Sequence, residues 1–312
     1  MINDVRQTVQ SLLSKNNFGY LSPSDFNLYA QQAQLDIFEN YISKYNKQVN
    51  AENARMSGSG YAGLGQKIAE DLENFSTTNF LSNSANNVFF LPSLTTTGDT
   101  WFMMNKIVCY PTQLDSGTAT STVANQLVDS SGLFVTDGIA VGDIVTNTTD
   151  DTTARVVTVT SETVLVLDAD IFVSGETYKI FQASTPRIAE KVSHSKITEL
   201  SISLLTTPNN LFPAYTLEGA TIKVLPSTLN TTGMVEGQYF RYPEPAPKWT
   251  YRVLSGGEPV FDASQSDYSD FQLPQEEMPN LITRILRMAG LEIRQEEVVA
   301  YANNEEIKEN QQ

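Results

Sequence analysis

One cysteine and one histidine in 312 residues remove much of the usual side-chain chemistry before any motif is sought. A single thiol cannot close an internal disulfide. Cys109 sits in the apolar run WFMMNKIVCY, so it reads as a buried core thiol in a protein assembled in a reducing cytoplasm. A single imidazole rules out a two-histidine metal site. His194, flanked by serines and near Lys191 and Lys196, has no triad-like setting, which leaves carboxylate chemistry or a site shared between subunits. No apolar run approaches the roughly 20 residues that a membrane-spanning helix needs. Met1-Ile2-Asn3-Asp4 opens a polar amphipathic helix rather than a signal peptide. The expectation is a soluble chain with no membrane partner. Basic residues are also scarce: 20 Lys and Arg stand against 36 Asp and Glu, for a net charge of −16. A sequence-independent grip on phosphate backbone needs clustered cations, so wrapping nucleic acid is excluded.

What is present is enough apolar content, 40%, to bury a core in two or three domains. The pattern predicts an α+β protein: an N-terminal helical bundle (1–80), an antiparallel β domain (81–111 and 184–272), an inserted small β-barrel-like module (112–183), and a C-terminal helix and tail (273–312). Asn3 or Asp4 caps a first helix with Val5, Val9, Leu12 and Leu13. Ser22-Pro23-Ser24-Asp25 opens a second, whose Phe26, Tyr29, Ala30, Ala33, Ile37, Tyr41 and Tyr45 recur at helical spacing, with Phe38 and Ile42 widening the stripe. A Gly/Ser run, 57–65, precedes a third helix carrying Leu64, Ile68, Leu72 and Phe75.

Strands are expected at 88–91, 101–110, 196–204, 220–225 and 234–242, and within the module at 133–135, 143–146, 154–160, 163–167 and 178–181. Turn signals such as Asp137-Gly138 and Ser174-Gly175 separate the module strands. Pro274 opens a helix with Met278, Leu281, Ile282, Ile285, Leu286 and Met288 on one side, stopped at Gly290. A last, mostly polar helix runs from Arg294 to Glu309. From Gly257 onward, 12 acids and four bases carry half of the net charge, either as a solvated tail or as a surface that repels DNA or meets a basic partner.

The tract from Gln238 to Ile285 is rich in gripping surface and poor in reactive groups. Tyr239, Tyr242, Trp249 and Tyr251, interleaved with Pro243, Pro245 and Pro247, suggest an extended interface arm. Stacking on sugar rings is the other reading of those aromatics. Asp143, Asp150, Asp151, Asp168 and Asp170 are oxygen donors in loops, yet the twelve-residue calcium loop with its closing glutamate is missing, so they read as turn residues and no metal is expected. Gly58, Gly60, Gly63 and Gly65 lack the GK[ST] and the preceding strand of a phosphate loop and read as a connector.

Three stretches carry a resemblance. NDVRQTVQSLLSKNNFGYLSPSDFNLYAQQAQLDIFENYISKY, DSSGLFVTDGIAVGDIVTNTTDDTTARVVTV, and RYPEPAPKWTY with FDASQSDYSDFQLPQEEMPNLITRILRMAGLEIRQEEVV resemble the neck ring proteins, head-to-tail connectors, of crAss-like and related podovirus bacteriophages. The resemblance implies a structural protein of the virion neck, not an enzyme and without cofactors. It implies a homo-oligomeric, twelvefold ring between portal and tail, assembled in the host cytoplasm. Its partners would be the portal protein and other neck and tail rings, and double-stranded DNA would pass through without specific binding. Carried onto this chain, portal or neighbour contact falls to Leu281, Ile282, Ile285, Leu286 and the tail from Arg294 onward. Two rival readings stand beside it: a receptor- or glycan-binding tail protein, which needs Trp249 and Tyr251 exposed, and a carboxylate hydrolase using Asp262 and Asp267.

Overall fold

A computed structural model describes residues 1–14, 20–55, 62–203, 205–254 and 256–292. In chain order, three helices come first: α1 (Ile2–Ser14), α2 (Pro23–Arg55) and α3 (Ala62–Glu73). Strands follow: β1 (Ser76–Phe80), β2 (Asn83–Ala85), β3 (Val88–Phe90) and β4 (Trp101–Cys109). Next are β5 (Gln113–Thr118), β6 (Ser121–Val123), β7 (Gln126–Val128), β8 (Ile144–Asn147), β9 (Thr152–Ser161), β10 (Val164–Leu167) and β11 (Thr177–Phe181). Then β12 (Arg187–Lys191), α4 (His194–Ile202), β13 (Ala214–Glu218), β14 (Thr221–Leu225) and β15 (Val235–Arg241). A short ribbon, β16 (Tyr251–Val253) and β17 (Pro259–Phe261), precedes α5 (Met278–Glu292). The protein is thus mixed α+β with helices at both ends, one of its sheets curled into a half-barrel. Among the described residues no helix is long and apolar enough to cross a membrane.

The chain divides into two compact units, 1–75 with 243–312 and 76–242. The sequence expectation had placed 76–80 with the helices and 243–272 with the β domain. Strand β1 instead pairs with β15. The proline-rich tract joins the helical unit because Asn27, in α2, both donates to the Trp249 carbonyl and accepts the Trp249 amide.

In the helical unit α2 follows its predicted spacing, whereas α1 starts at Ile2, so neither Asn3 nor Asp4 caps it and the Asp270 carboxylate instead accepts the Ile2 amide at 2.8 Å. The Ser22 hydroxyl accepts the Asp25 amide at 3.2 Å, capping α2. Phe26, Ala30, Ala33, Ile37, Phe38 and Tyr41 are buried, and the Phe38 and Phe75 rings meet edge to face at 5.0 Å. Tyr45 is exposed. Gly290 does not stop the last helix; α5 runs through it to Glu292. Helical hydrogen bonding of the backbone tolerates a glycine at modest cost when the flanking stripe is packed, as Ala289 and Leu286 are here. The helix expected at 294–309 and most of the Gly/Ser run lie outside the described residues; Gly63 and Gly65 fall within α3.

The β unit holds two sheets. Eight strands run in the order β1-β15-β4-β12-β13-β14-β3-β2, and seven in the order β5-β11-β8-β9-β10-β7-β6. The seven-stranded sheet is formed by residues 113–181, between β4 and β12, which pair antiparallel. Its core is Leu127, Phe134, Val145, Leu165, Tyr178 and neighbours, while Ile144 and Phe181 face the other way into the core of the larger sheet with Ile107, Tyr215 and Tyr239. That two-faced burial follows from the period of two along a strand.

Two strand expectations fail. Residues 133–135 form a turn, not a strand. Residues 196–204, read as a strand from Ile197, Leu200 and Ile202, belong largely to helix α4, capped by Ser193, whose hydroxyl accepts the Lys196 amide at 3.4 Å. The reason is topological: β12 and β13 pair parallel, and a parallel pair needs a crossover, which α4 supplies. The expected antiparallel domain therefore contains one parallel pair.

Candidate functional site

Tyr239 is fully buried on β15, its hydroxyl accepting from Asn79 at 2.8 Å. Tyr242 lies edge to face with Phe102 at 5.1 Å. Trp249 is buried: the Arg6 guanidinium covers its ring at 3.7 Å, Tyr251 stacks on it at 5.6 Å, and its indole N–H donates to Asn3 Oδ1. Only Tyr251 is substantially exposed. The interface arm is thus corrected: two of its four aromatics are core, because prolines and long-range partners fold the tract inward. A glycan platform built on both Trp249 and Tyr251 loses its first member.

On α5, Leu281 and Ile285 are fully buried in the helical core, and Leu286 is buried but for an edge. Ile282 is half-buried and reaches the surface. Arg294 lies outside the described residues. Ile282 lines an open groove of about 570 Å³ with Leu12, Met278, Pro279 and Leu286. Leu12 is 42% exposed there. The charged residue on the rim, Glu276, is held by Lys67 Nζ at 2.6 Å.

The acidic candidates are structural. Asp143 accepts the Ala140 and Ala183 amides, Asp168 the Arg155 amide, Asp170 the Asn125 amide, and Asp151 the Thr232 hydroxyl. Asp150 is held above the usual carboxylate range by its hydrogen bond with Glu176. Among the described residues no three His, Cys, Asp or Glu side chains gather to hold a metal ion. Asp262 accepts from the Ser264 hydroxyl and amide, and Asp267 pairs with Lys248 at 2.5 Å. Both are pushed below the ordinary value, Asp262 by the Ser264 hydroxyl and Asp267 by Lys248. Neither is poised as the protonated acid of a hydrolase. His194 is exposed at the start of α4, its Nδ1 3.4 Å from Glu218 Oε1. Cys109 is fully buried, and burial pushes its thiol up to about 12.

A feature the sequence reading missed lies between α4 and β13. Leu205 is 94% exposed, Leu211 59% and Phe212 75%, and Ile202 at the end of α4 is also exposed. The loop is held in shape. Asn209 Oδ1 accepts the amides of Leu211 and Phe212, Asn209 and Phe212 exchange backbone hydrogen bonds, and the Thr228 hydroxyl donates to Asn210. Thr206 and Thr207 bond back to Leu200 and Ser203. Buried Pro208 and Pro213 flank the tip. Such an Asn-nucleated turn presents apolar side chains to water instead of folding them in. Its one trace in the sequence is compositional: from Leu200 to Leu217 no residue is charged. A second apolar feature is the β16–β17 ribbon, with Tyr251, Val253 and Leu254 exposed; it carries Arg252 and Glu258.

No protein-family model matches the chain, and no curated protein matches it in sequence.

Proposed function

We propose that this chain is a structural virion protein that forms a homo-oligomeric ring in a bacteriophage neck, between portal and tail. The observation that carries this reading is the loop Leu205–Phe212, where hydrogen bonds hold large apolar side chains in solvent. Isolated exposed hydrophobes are ordinary, but a rigid cluster of them is the mark of a contact surface. The groove beside Ile282 is a second such surface. Heterologous contacts between unlike patches of identical chains close into rings.

The resemblance to neck ring proteins supplies the class. The ring is twelvefold, and it stacks with portal and with other neck and tail rings. Its net charge of −16 suits a channel that lets DNA pass without holding it. The sheet of residues 113–181 is then a barrel-like inserted module that projects outward to another neck or tail protein.

Electron microscopy of the purified protein, alone and mixed with portal, tests the reading. Rings of defined symmetry with a central channel are the expected result. A protein that stays monomeric in both samples would sink it. Removing residues 112–183 tests the module: rings should still close, and contact with the outer partner should be lost.

A further inference from the structure

We infer that the apolar turn at Leu211-Phe212 of one copy seats in the α1/α5 groove of the next copy. This rests on the ring reading and names the surfaces that would close it.

Charge narrows the choice of faces. Two copies at −16 each repel, so contact is favoured between faces whose carboxylates are few or paired. The run from Leu200 to Leu217 carries no charge, in a chain that is 18% charged overall, and it holds Leu205, Leu211 and Phe212 in solvent. On the groove side the lining is Leu12, Met278, Pro279, Ile282 and Leu286 with the uncharged Gln275 and Thr283, and its one carboxylate, Glu276, is paired with Lys67. The β16–β17 ribbon fits less well as the insert because Arg252 and Glu258 would have to be desolvated with it.

Turn and groove also match in shape. The turn offers one aromatic and one leucine side chain on a frame fixed by Asn209, so little ordering entropy is lost on docking. An opening of about 570 Å³ accommodates both. Turn and groove belong to different compact units of the chain, so each copy carries one insert and one receptor. A head-to-tail contact of that kind leaves one insert and one receptor free and carries on from copy to copy, whereas reciprocal insertion would stop at a pair, and the symmetry of the assembly tells the two apart.

The test uses full-length protein. Leu211→Ser with Phe212→Ser removes the insert, and Ile282→Glu blocks the receptor; the altered side chains are exposed or half-exposed, and a thermal melt matching the parent confirms folding. Each variant alone is expected to lose ring assembly, with association weakened roughly 30-fold or more, the usual effect of removing an aromatic anchor. Mixed one to one, the two variants are expected to form a pair that grows no further, since only one intact turn meets one intact groove. If either variant builds rings like the parent, the contact lies elsewhere and the inference falls while the ring reading stands. If both fail alone and do not pair when mixed, turn and groove serve separate contacts and the inference falls. If Ile282→Glu still forms rings but no longer binds portal, the groove belongs to portal. If the parent itself forms no ring, alone or on portal, the proposed function fails first.

Discussion

Arg155 Nη2 stands 3.1 Å from Glu236 Oε1, tying the seven-stranded sheet to the eight-stranded one. The pair is not alone: the Tyr110 hydroxyl donates to Glu236 Oε2 at 2.6 Å, and Arg155 also lies 5.2 Å from the Phe80 ring centre. Burial, then the hydrogen bond to Glu236, pushes the Tyr110 hydroxyl up to about 12. Glu236 is mostly buried, whereas the Arg155 side chain is 37% exposed. Deleting the cation therefore strands a largely buried carboxylate, but water reaches the gap and softens the cost. Arg155→Met should lower stability by about 1–2 kcal/mol, with Arg155→Lys in between because it keeps charge but loses the planar fork. Urea unfolding checks this. An Arg155→Met midpoint equal to the parent's would show that apolar contacts such as Ile144 and Phe181 hold the sheets without the pair.

Gly233 has a φ of +90° and sits against Thr146. A Cβ built there would lie 2.0 Å from Thr146 Oγ1, well inside contact distance. Gly233→Ala thus combines backbone strain with a steric clash, and a loss of about 2–4 kcal/mol is expected. The two causes separate in a double-mutant cycle. Thr146→Ala removes the clashing hydroxyl, so adding it to Gly233→Ala should recover part of the loss and leave the strain. Strict additivity of the two changes would mean that the clash is relieved elsewhere.

Cys109 offers a probe of opening. Its thiol is fully buried and held near 12 by desolvation, so almost no thiolate exists at neutral pH and none is reachable. A thiol reagent such as Ellman's should leave the native protein untouched over hours and titrate one thiol in denaturant. Prompt labelling of the native protein would contradict the packing around β4.

Much of this fold was legible because local pattern and tertiary demand agree. The cap at Ser22 and the stripe from Phe26 to Tyr41 give α2, and the module strands from Ile144 to Phe181 match their apolar alternation closely. Where they disagree, the reason is long-range. Ile197, Leu200 and Ile202 fit both a strand and a short helix, and the parallel pairing of β12 with β13 decides for the helix. Trp249 and Tyr239 look like interface aromatics by composition. Their burial depends on Asn3, Arg6 and Asn79, far away in sequence. The candidate site shows the same split. Helical period puts Ile282 on the same side as its neighbours but does not say that Leu281 and Ile285 turn inward while Ile282 and an edge of Leu286 line the groove. The turn at Leu211-Phe212 was passed over because a short apolar loop has no period to find.

The turn that stands where a strand is expected at 133–135 is held by a carboxylate as well as by backbone hydrogen bonds, and the carboxylate gives it a pH dependence. Glu162 Oε2 accepts the Val135 and Thr136 amides at 3.0 and 3.1 Å, and Oε1 accepts the Thr136 hydroxyl at 2.8 Å. The Thr136 amide, then its hydroxyl, holds Glu162 below its ordinary value of 4.5. A carboxylate with a depressed folded-state pKa stabilises the fold above its unfolded value, and that contribution drains away as pH falls through the lower one. The parent should therefore lose more stability between neutral pH and pH ~3 than Glu162→Gln, which cannot ionise. Glu162→Gln should be the less stable protein at pH ~7, and the gap should narrow on acidification. Urea midpoints across that range measure it. Parallel pH profiles for the two proteins would mean that the amides of Val135 and Thr136 are satisfied without the charge.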